Sequence, residues 1–379
     1  MDSLPEDFGL DAVRTFSHVG DPVPGPDHSA FWKAWFDRLA QESPVLRVRE
    51  VVDESDPSAT HDFLSTHGVR IGCRLMAPPE GVTVKASLVT VHGYSVPETL
   101  EHEERRWSAV RGKGVAVLAI RLRGYPGSRT DVHGKAIDLD GADRSWITEG
   151  FAGYEHKDWV LPHGLGDVCN AVRVMRNALL GRDARDLEPW MEGETGHPDV
   201  YLHGRSLGGG LATIAAAQLS GRMLGRPIVD RLGLEVPSLG AWRWRLEHSK
   251  NGLSGRFNGI LDEHGDRREE LIDRLRLMDA VVHGRKVRVP TAAMLARRDE
   301  VAPAPSAAAV FNAIDADPGL KWRFCVPCGH WAGDMKNTRR VALFGKVLGD
   351  FFDPSREPME SMAEWEDRMG LGGEEGTGH

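Results

Sequence analysis

Three residues that can together cleave an ester follow one another along the chain as serine, aspartate and histidine. Ser206 lies in the motif GRSLG, Asp299 in RRDE and His330 in CGH. A serine hydroxyl is a poor nucleophile at neutral pH and needs a base within hydrogen-bonding reach, which His330 can provide. A carboxylate can hold the histidine tautomer and stabilise its cationic form. The predicted chemistry is acyl transfer to Ser206, followed by hydrolysis of the acyl-enzyme with water activated by His330.

The sequence around Ser206 is typical of a nucleophile elbow. An apolar strand over 200–203 leads into the serine, and a helix over 207–219 follows it, which is the context that G-x-S-x-G requires. The turn is so tight that side chains at Gly204 and Gly208 would collide, and the following glycines allow the helix to approach the sheet. The predicted inward stripe of this helix consists of Leu211, Ile214, Ala215, Gln218 and Leu219.

Other residues compete for or complete these roles. Glu300 is an alternative to Asp299 for the acid, and Glu235 is a further one, because an acid can also follow the preceding strand. The oxyanion hole is predicted to consist of the backbone N–H groups of Leu207 and Tyr94. The other interpretation of Tyr94 is that its side chain simply lines the pocket.

The elements that must position these residues alternate between strands and helices. Such alternation predicts a doubly wound, mostly parallel α/β sheet, the α/β-hydrolase fold, in which sites form beyond the carboxyl ends of the strands. The predicted strands cover 45–52, 59–65, 69–76, 86–91, 115–120, 200–203, 229–236, 291–296 and 321–326. The predicted helices cover 30–40, 98–112, 167–180, 207–219, 306–313, 336–352 and 357–369.

The chain is expected to divide into three parts. Residues 1–80 are predicted to form an N-terminal arm, a helix and antiparallel strands packed on the main domain. The catalytic α/β-hydrolase domain is assigned to 81–353 and a C-terminal tail to 354–379. Excursions over 130–159 and 238–283 are expected to cover one edge of the sheet, and 182–198 is expected to be a polar surface insertion.

Composition excludes several other classes of protein. A net charge of -9 on 379 residues, with basic residues scattered among acidic ones, argues against a nucleic-acid partner. No apolar run approaches the ~20 residues that cross a bilayer, and the acidic start MDSLPEDFGL favours a cytoplasmic protein without a membrane partner. The four cysteines are too few for a disulfide framework, and Cys325 and Cys328 are interpreted as packing residues. No metal and no cofactor are expected.

The chain resembles the acetyl xylan esterase and cephalosporin C deacetylase family, carbohydrate esterase family 7. The similarity runs from about Phe31 to Phe352 and includes the aromatic N-terminal helix, HGY at 92–94, RG at 123–124, GRSLGGG, EVPSLGAWRWRL at 235–246, RRDEVAPAP at 297–305 and GH at 329–330. The resemblance implies Ser206, Asp299 and His330 as the triad, with Tyr94 and Leu207 as oxyanion donors. It also implies deacetylation of sugars without a metal ion, and homo-oligomers, since members often form hexamers.

Three departures from the family pattern alter the surroundings of the site. Where the family has R-G-Q, S-Q-G-G and H-E, this chain has Tyr125, Leu207 and Trp331 as the differing residues. None removes a group that does the chemistry, because Leu207 would contribute a backbone N–H. Together with the pair Trp242 and Trp244, they predict a more apolar site, in which Trp242 and Trp331 are candidate substrate contacts. The insertion at 182–198 argues against the hexamer that family members often form.

The predicted function is a serine esterase for short-chain acyl esters, above all acetyl esters of carbohydrates or related small molecules. A serine peptidase or thioesterase of the same fold is the alternative within the hydrolases. A peptidase of the prolyl oligopeptidase type carries a large extra domain, and the roughly 80 residues before the sheet are too few for a propeller. A catalytically silent hydrolase fold that serves as a binding protein is the alternative outside them.

Overall fold

The computed structural model describes residues 7–51, 54–94, 100–128, 145–153, 155, 158–179, 199–220 and 228–368. Within these residues nine strands form one sheet. They are β1 (Arg47–Val48), β2 (His61–Leu64), β3 (Arg70–Met76), β4 (Ala86–Val91), β5 (Val115–Ile120), β6 (Asp199–Arg205), β7 (Arg231–Glu235), β8 (Thr291–Ala296) and β9 (Lys321–Val326).

The sheet is parallel except at its N-terminal end. The strand order is β1-β2-β3-β5-β4-β6-β7-β8-β9, and every pair from β5 to β9 is parallel. The first three strands are antiparallel to their neighbours, and β3 joins the parallel part by pairing with β5, with Cys73 opposite Ile120. The predicted doubly wound α/β-hydrolase architecture is therefore confirmed.

Helices cover both faces of this sheet. They are α1 (Ala12–Phe16), α2 (His28–Ala40), α3 (Leu100–Arg106), α4 (Ser108–Arg111), α5 (Val160–Leu179), α6 (Leu207–Gln218), α7 (Trp242–His248), α8 (Gly252–Glu263), α9 (Arg268–Arg276), α10 (Ala280–Gly284), α11 (Ala304–Ala313), α12 (Met335–Phe351) and α13 (Pro358–Arg368).

Successive residues of the central strands point into two separate apolar layers. Leu88 of β4 packs in the layer that contains α4, α12 and α13, whereas its neighbour Val89 packs in the larger layer with α2, α5 and α6. All six residues of β4 and all six of β5 are buried. Because these strands lose solvent on both faces, their sequences ASLVTV and VAVLAI are almost continuously apolar.

Most predicted strands match the structure, and four of them match to the residue: β4, β5, β8 and β9. The prediction was poorer at the sheet edge, where the strand expected over 45–52 is only the two residues of β1. The aromatic helix α2 begins at His28 after the cap residue Asp27, two residues before its predicted start at residue 30. An edge strand lacks a second partner, so residue type alone determines its length weakly.

Helix α5 is longer than its sequence predicts, starting at Val160 instead of residue 167. Its first turns contain Pro162, Gly164 and Gly166, which are poor helix formers, and this composition led the prediction to begin the helix too late. The glycine at 166 has a packing reason, because a Cβ there would lie 2.7 Å from the Cγ2 atom of Thr66. Tertiary packing thus overrides local propensity in this segment.

The helix after Ser206 is buried on all sides. The residues predicted to face inward are buried, but so is every other residue of α6. The predicted inward stripe is therefore confirmed as buried, and the burial extends beyond it to the whole helix. The helix contacts α5 and α10 in addition to the sheet, which leaves no face for solvent. This explains why the helix consists mostly of glycine, alanine and leucine and has no charged residue.

Several predicted segments cannot be compared with the structure because they fall on residues that it does not describe. The insertion at 182–198, the part of the excursion over 130–144, the beginning of the helix predicted from 98 and the last residues of the tail all lie outside the described residues. The excursion expected over 238–283 contains the helices α7 to α10. No helix in the described ranges combines the length and the apolar character that crossing a membrane requires.

Candidate active site

Ser206 lies at the tip of a strained turn between β6 and α6. Its φ is 54° and its ψ is -116°, which is an unfavourable conformation for a residue with a side chain. A Cβ on Gly204 would lie 2.1 Å from the carbonyl oxygen of Gly208, and a Cβ on Gly208 would lie 2.3 Å from that of Val91. The prediction that both positions must lack a side chain is confirmed.

Backbone hydrogen bonds hold the strained turn in place. The N–H of Ser206 donates to the carbonyl of Glu235 at 2.8 Å, and its carbonyl accepts from the N–H of Ser238 at 2.9 Å. Close packing fixes the following helix, since a Cβ on Gly210 would lie 2.4 Å from the carbonyl oxygen of Ser238. The loop after β7 therefore determines where the serine side chain is presented.

Asp299 and His330 form a hydrogen-bonded pair beyond the carboxyl ends of two adjacent strands. Asp299 follows β8 and His330 follows β9, and His330 Nδ1 lies 2.7 Å from Asp299 Oδ2. The other carboxylate oxygen, Oδ1, accepts from the backbone N–H groups of Val301 at 2.9 Å and Ala302 at 2.8 Å. Because both oxygens of Asp299 are engaged, the carboxylate is fixed, and the Nδ1–H tautomer that it favours leaves the lone pair on Nε2.

The two alternative acids are arranged differently. The carboxylate that contacts His330 is that of Asp299, although Glu300 is the next residue. Glu235 is buried; its carboxylate pairs with Arg106 and lies 3.5 Å from His203 Nε2. Burial alone would raise the pKa of Glu235, but the Arg106 guanidinium and His203 hold it well below the usual range. The negative charge of Glu235 is thus paired with Arg106.

The two residues predicted to form the oxyanion hole belong to segments that adjoin the nucleophile. Leu207 is the first residue of α6, so its N–H is among those that have no acceptor within the helix. The loop carrying Tyr94 runs against the serine, because a Cβ on Gly93 would be 3.3 Å from Ser206 Cβ and 3.9 Å from Ser206 Oγ. The helix N-terminus adds a partial positive charge at this point.

His92 fixes the peptide group that carries the Tyr94 N–H. Its Nδ1 lies 2.7 Å from the carbonyl oxygen of Gly93, and its Nε2 accepts from the N–H of Leu122 at 3.2 Å. Burial lowers the pKa of His92 to about 3, so the ring is neutral and can donate from one nitrogen while accepting at the other. Since the Gly93 carbonyl and the Tyr94 N–H share one peptide plane, this contact sets the direction of the proposed donor.

Tyr125 supports the same loop, a role that the sequence did not indicate. Its hydroxyl donates to the carbonyl of Tyr94 at 2.7 Å, and its ring packs edge-on against His92 with centroids 4.4 Å apart. The signal present in the sequence was the replacement of the family's glutamine by tyrosine after RG. Because the family pattern has glutamine at this position, it does not predict the hydrogen bond from the tyrosine hydroxyl to the carbonyl of Tyr94.

The tryptophans predicted near the site lie in different surroundings. Trp331 is 57% exposed, and its ring packs edge-on against that of His330 with centroids 4.9 Å apart. Trp242 is fully buried, and its indole N–H donates to the carbonyl of Met278 at 3.3 Å. Trp244 stacks on His248 at 4.7 Å. Of the two proposed substrate contacts, Trp331 offers surface to a ligand and Trp242 does not.

These features of the fold and the site define a class of protein. A strained serine between strand and helix, with an acid and a histidine after later parallel strands, is the arrangement of the α/β hydrolases. The described residues contain no group of three His, Cys, Asp or Glu side chains placed to hold a metal ion. The catalytic roles of Ser206, Asp299 and His330 stay predictions.

The family model for acetyl xylan esterase (AXE1) matches residues 5–323, and the chain belongs to this family of carboxylic ester hydrolases. Acetyl xylan esterase 1 from Thermoanaerobacterium sp. JW/SL YS485 superposes with a TM-score of 0.67 at 19% identity, covering 90% of this chain and 99% of that one. Acetyl xylan esterase from Paenibacillus sp. R4 gives 0.66 at 19% identity, covering 89% and 99%. At these identities the two structures establish the fold. No curated protein sequence matches the chain significantly.

Proposed function

We propose that the protein is a serine esterase that removes short acyl groups, above all acetyl, from carbohydrates or related small molecules through an acyl-enzyme on Ser206. The observation that carries the proposal is the 2.7 Å hydrogen bond between His330 and Asp299, at the same end of the sheet as the serine elbow. Membership of the acetyl xylan esterase family supports the choice of ester and acyl group.

In the proposed reaction, His330 Nε2 accepts the proton of the Ser206 hydroxyl while the oxygen attacks the ester carbonyl. Asp299 stabilises the imidazolium that forms. The backbone N–H groups of Leu207 and Tyr94 donate to the oxyanion. The C–O bond to the alcohol then breaks, and the alcohol leaves with the proton from His330. Water repeats the sequence on the acyl-enzyme, which releases the acid and regenerates the serine.

The substrate is proposed to meet the protein at Trp331. An exposed indole next to the base can pack against the apolar face of a sugar ring while the ester lies over Ser206. The small-molecule ester is the partner inferred for this site. Self-association and a cytoplasmic location stay predictions.

The test is hydrolysis of p-nitrophenyl esters from acetyl to octanoyl, comparing the wild type with Ser206→Ala. We expect the highest kcat/KM for acetate, and a loss of at least about 10⁴-fold in the variant at an unchanged melting temperature. Acetylated sugars then serve to identify the alcohol. A variant that keeps its activity would overturn the proposed nucleophile.

Other outcomes distinguish the alternatives. An optimum at longer acyl chains would contradict the acetyl preference and leave the serine mechanism intact. Activity on thioesters or peptides without activity on oxygen esters would support a thioesterase or peptidase. A folded protein that hydrolyses none of them, and whose Ser206 fails to react with an organophosphonate probe, would support a silent hydrolase fold.

A further inference from the structure

Arg245 of α7 is a wholly buried arginine close to both halves of the proposed active site. Its Nη1 donates to the hydroxyl of Ser238 at 2.6 Å, its Nη2 to the carbonyl of Val301 at 2.8 Å and its Nε to the hydroxyl of Ser254 at 2.7 Å. The guanidinium also lies 5.0 Å from the ring centroid of Trp242. Trp242, which has no exposed surface for a substrate, therefore packs against this cation.

Two of these partners belong to the loops that hold the nucleophile and the acid. Ser238 donates its backbone N–H to the carbonyl of Ser206 at 2.9 Å. Val301 donates its backbone N–H to Oδ1 of Asp299 at 2.9 Å. The guanidinium of Arg245 thus connects the residue that braces the serine to the residue that braces the aspartate.

Burying this cation has a cost that a purely space-filling side chain would avoid. Burial lowers the pKa of Arg245 to about 10, and the charges of Asp299 and Asp279 oppose that shift. A neutral side chain of similar volume would fill the same space without desolvating a charge. What arginine adds is a planar, rigid set of donors that holds two acceptors at a fixed separation.

We propose that Arg245 is a positioning residue for the reaction, and that its guanidinium fixes the Ser206 elbow relative to the Asp299–His330 pair. The inference rests on the proposed function, because it assumes that these three residues form the triad. Substrate binding does not depend on this separation, whereas the transfer of the serine proton does. A displacement of about 1 Å between reacting groups can lower the rate about 10²-fold.

The test compares Arg245→Met, Arg245→Lys, Ser238→Ala and the double variant Arg245→Met/Ser238→Ala in p-nitrophenyl acetate hydrolysis. Arg274→Met is the matched control, because Arg274 of α9 is also buried and donates to a backbone carbonyl, that of Phe151, at 2.8 Å. Melting temperatures are measured for every variant. Ser238→Ala keeps the backbone N–H and removes only the hydroxyl, so it tests the connection with little risk to folding.

For Arg245→Met we expect kcat to fall about 10- to 100-fold with KM within about 2-fold of the wild type. Ser238→Ala should lower kcat about 5-fold, and the double variant should be no slower than Arg245→Met, since both changes break one connection. Arg245→Lys should recover part of kcat. Arg274→Met should have a lower melting temperature than the wild type, while its kcat stays within about 3-fold of the wild-type value.

A kcat unchanged in both Arg245→Met and Ser238→Ala would overturn the inference, as would a double variant whose losses multiply. If Arg245→Met does not fold, Ser238→Ala and Arg245→Lys decide the question. Failure of the proposed function looks different: the wild type would lack esterase activity, or Ser206→Ala would keep it. If the wild type is active, Ser206→Ala is inactive and the Arg245 variants keep the wild-type kcat, only the positioning role is rejected.

Discussion

The hydroxyl of Tyr125 donates a 2.7 Å hydrogen bond to the carbonyl of Tyr94, directly behind one of the two proposed oxyanion donors. With His92 bound to the preceding carbonyl, that of Gly93, the loop is held at two successive peptide groups. A loop held at both points cannot turn its N–H away from the position of the oxyanion. Tyr125 therefore fixes this loop through a hydrogen bond to its backbone, as hydrogen bonds between strands fix a strand in a sheet.

We predict that Tyr125→Phe lowers kcat for p-nitrophenyl acetate about 3- to 10-fold with little change in KM, because the loss of one neutral hydrogen bond loosens the donor without removing it. The control is Tyr201→Phe. Tyr201 is equally buried, but its hydroxyl bonds to Asp199 at 3.3 Å, at the amino end of β6. Equal losses in the two variants would contradict the role of Tyr125.

Asp299→Asn and Glu235→Gln should separate the acid of the site from its buried rival. The amide in Asp299→Asn would donate to Nδ1 and hold the wrong histidine tautomer, so kcat should fall by about four orders of magnitude. Glu235→Gln should leave kcat within about 10-fold and lower the free energy of unfolding by about 1–3 kcal/mol, because Arg106 loses its buried partner. Steady-state kinetics and urea unfolding measure the two effects. The reverse pattern would make Glu235 the acid.

Buried neutral histidines should make the fold sensitive to mild acid. Burial lowers the pKa of His283 to about 3; its Nε2 bonds to the carbonyl of Leu277 and its Nδ1 to Gln218. Below a pH of about 6.5 the unfolded chain takes up a proton that the folded ring does not, so stability falls as pH falls. For this one group the loss between pH 7 and pH 5 is about 2 kcal/mol.

His283→Gln isolates that contribution. The amide can keep both hydrogen bonds but does not titrate, so we expect the stability gap between the wild type and the variant to narrow by about 2 kcal/mol from pH 7 to pH 5. Urea unfolding at pH 5, 6 and 7 measures it. Curves that stay parallel over this range would show that His283 takes up a proton in the folded state.

Two glycine-to-alanine changes should have opposite effects. In Gly210→Ala the new methyl group would meet the Ser238 carbonyl and the Leu239 side chain, so we expect the free energy of unfolding to fall by several kcal/mol. Gly259→Ala, in α8, has nothing within 4 Å of the added Cβ and should raise it by about 0.5–1 kcal/mol. Thermal unfolding tests both. A tolerated Gly210→Ala would show that α6 can move away from the β7 loop.

Local patterns were enough to predict the parts of the site that one segment determines by itself. The spacing of Gly204 and Gly208 around Ser206 is dictated by a single tight turn, so the sequence of that turn was sufficient. The central strands were equally predictable, because burial on both faces leaves an uninterrupted apolar run. The predicted acid is Asp299 because this residue follows a strand that can be recognised in this way.

Relations between distant segments could not be predicted in the same manner. Nothing in the residues near Trp242 distinguishes an indole that faces a ligand from one that covers Arg245. The contact of Tyr125 with Tyr94 joins loops that follow two different strands, and only the strand order of the sheet brings them together. The predicted inward residues of α6 are buried, but the burial of its other face could not be predicted for the same reason, since α10 packs against it from far along the chain.

The antiparallel pairing of β3 with β5 has a practical consequence for anyone who shortens this protein. A version starting near residue 77 would keep every proposed catalytic residue, yet it would uncover one edge of β5, whose sequence VAVLAI has neither a charge nor a proline. Such an edge recruits strands from other molecules. The native sheet ends instead in β1, two residues long and opened by an arginine. We therefore expect removal of β1 to β3 to make the protein aggregate through β5, so that the truncated form is recovered in inclusion bodies.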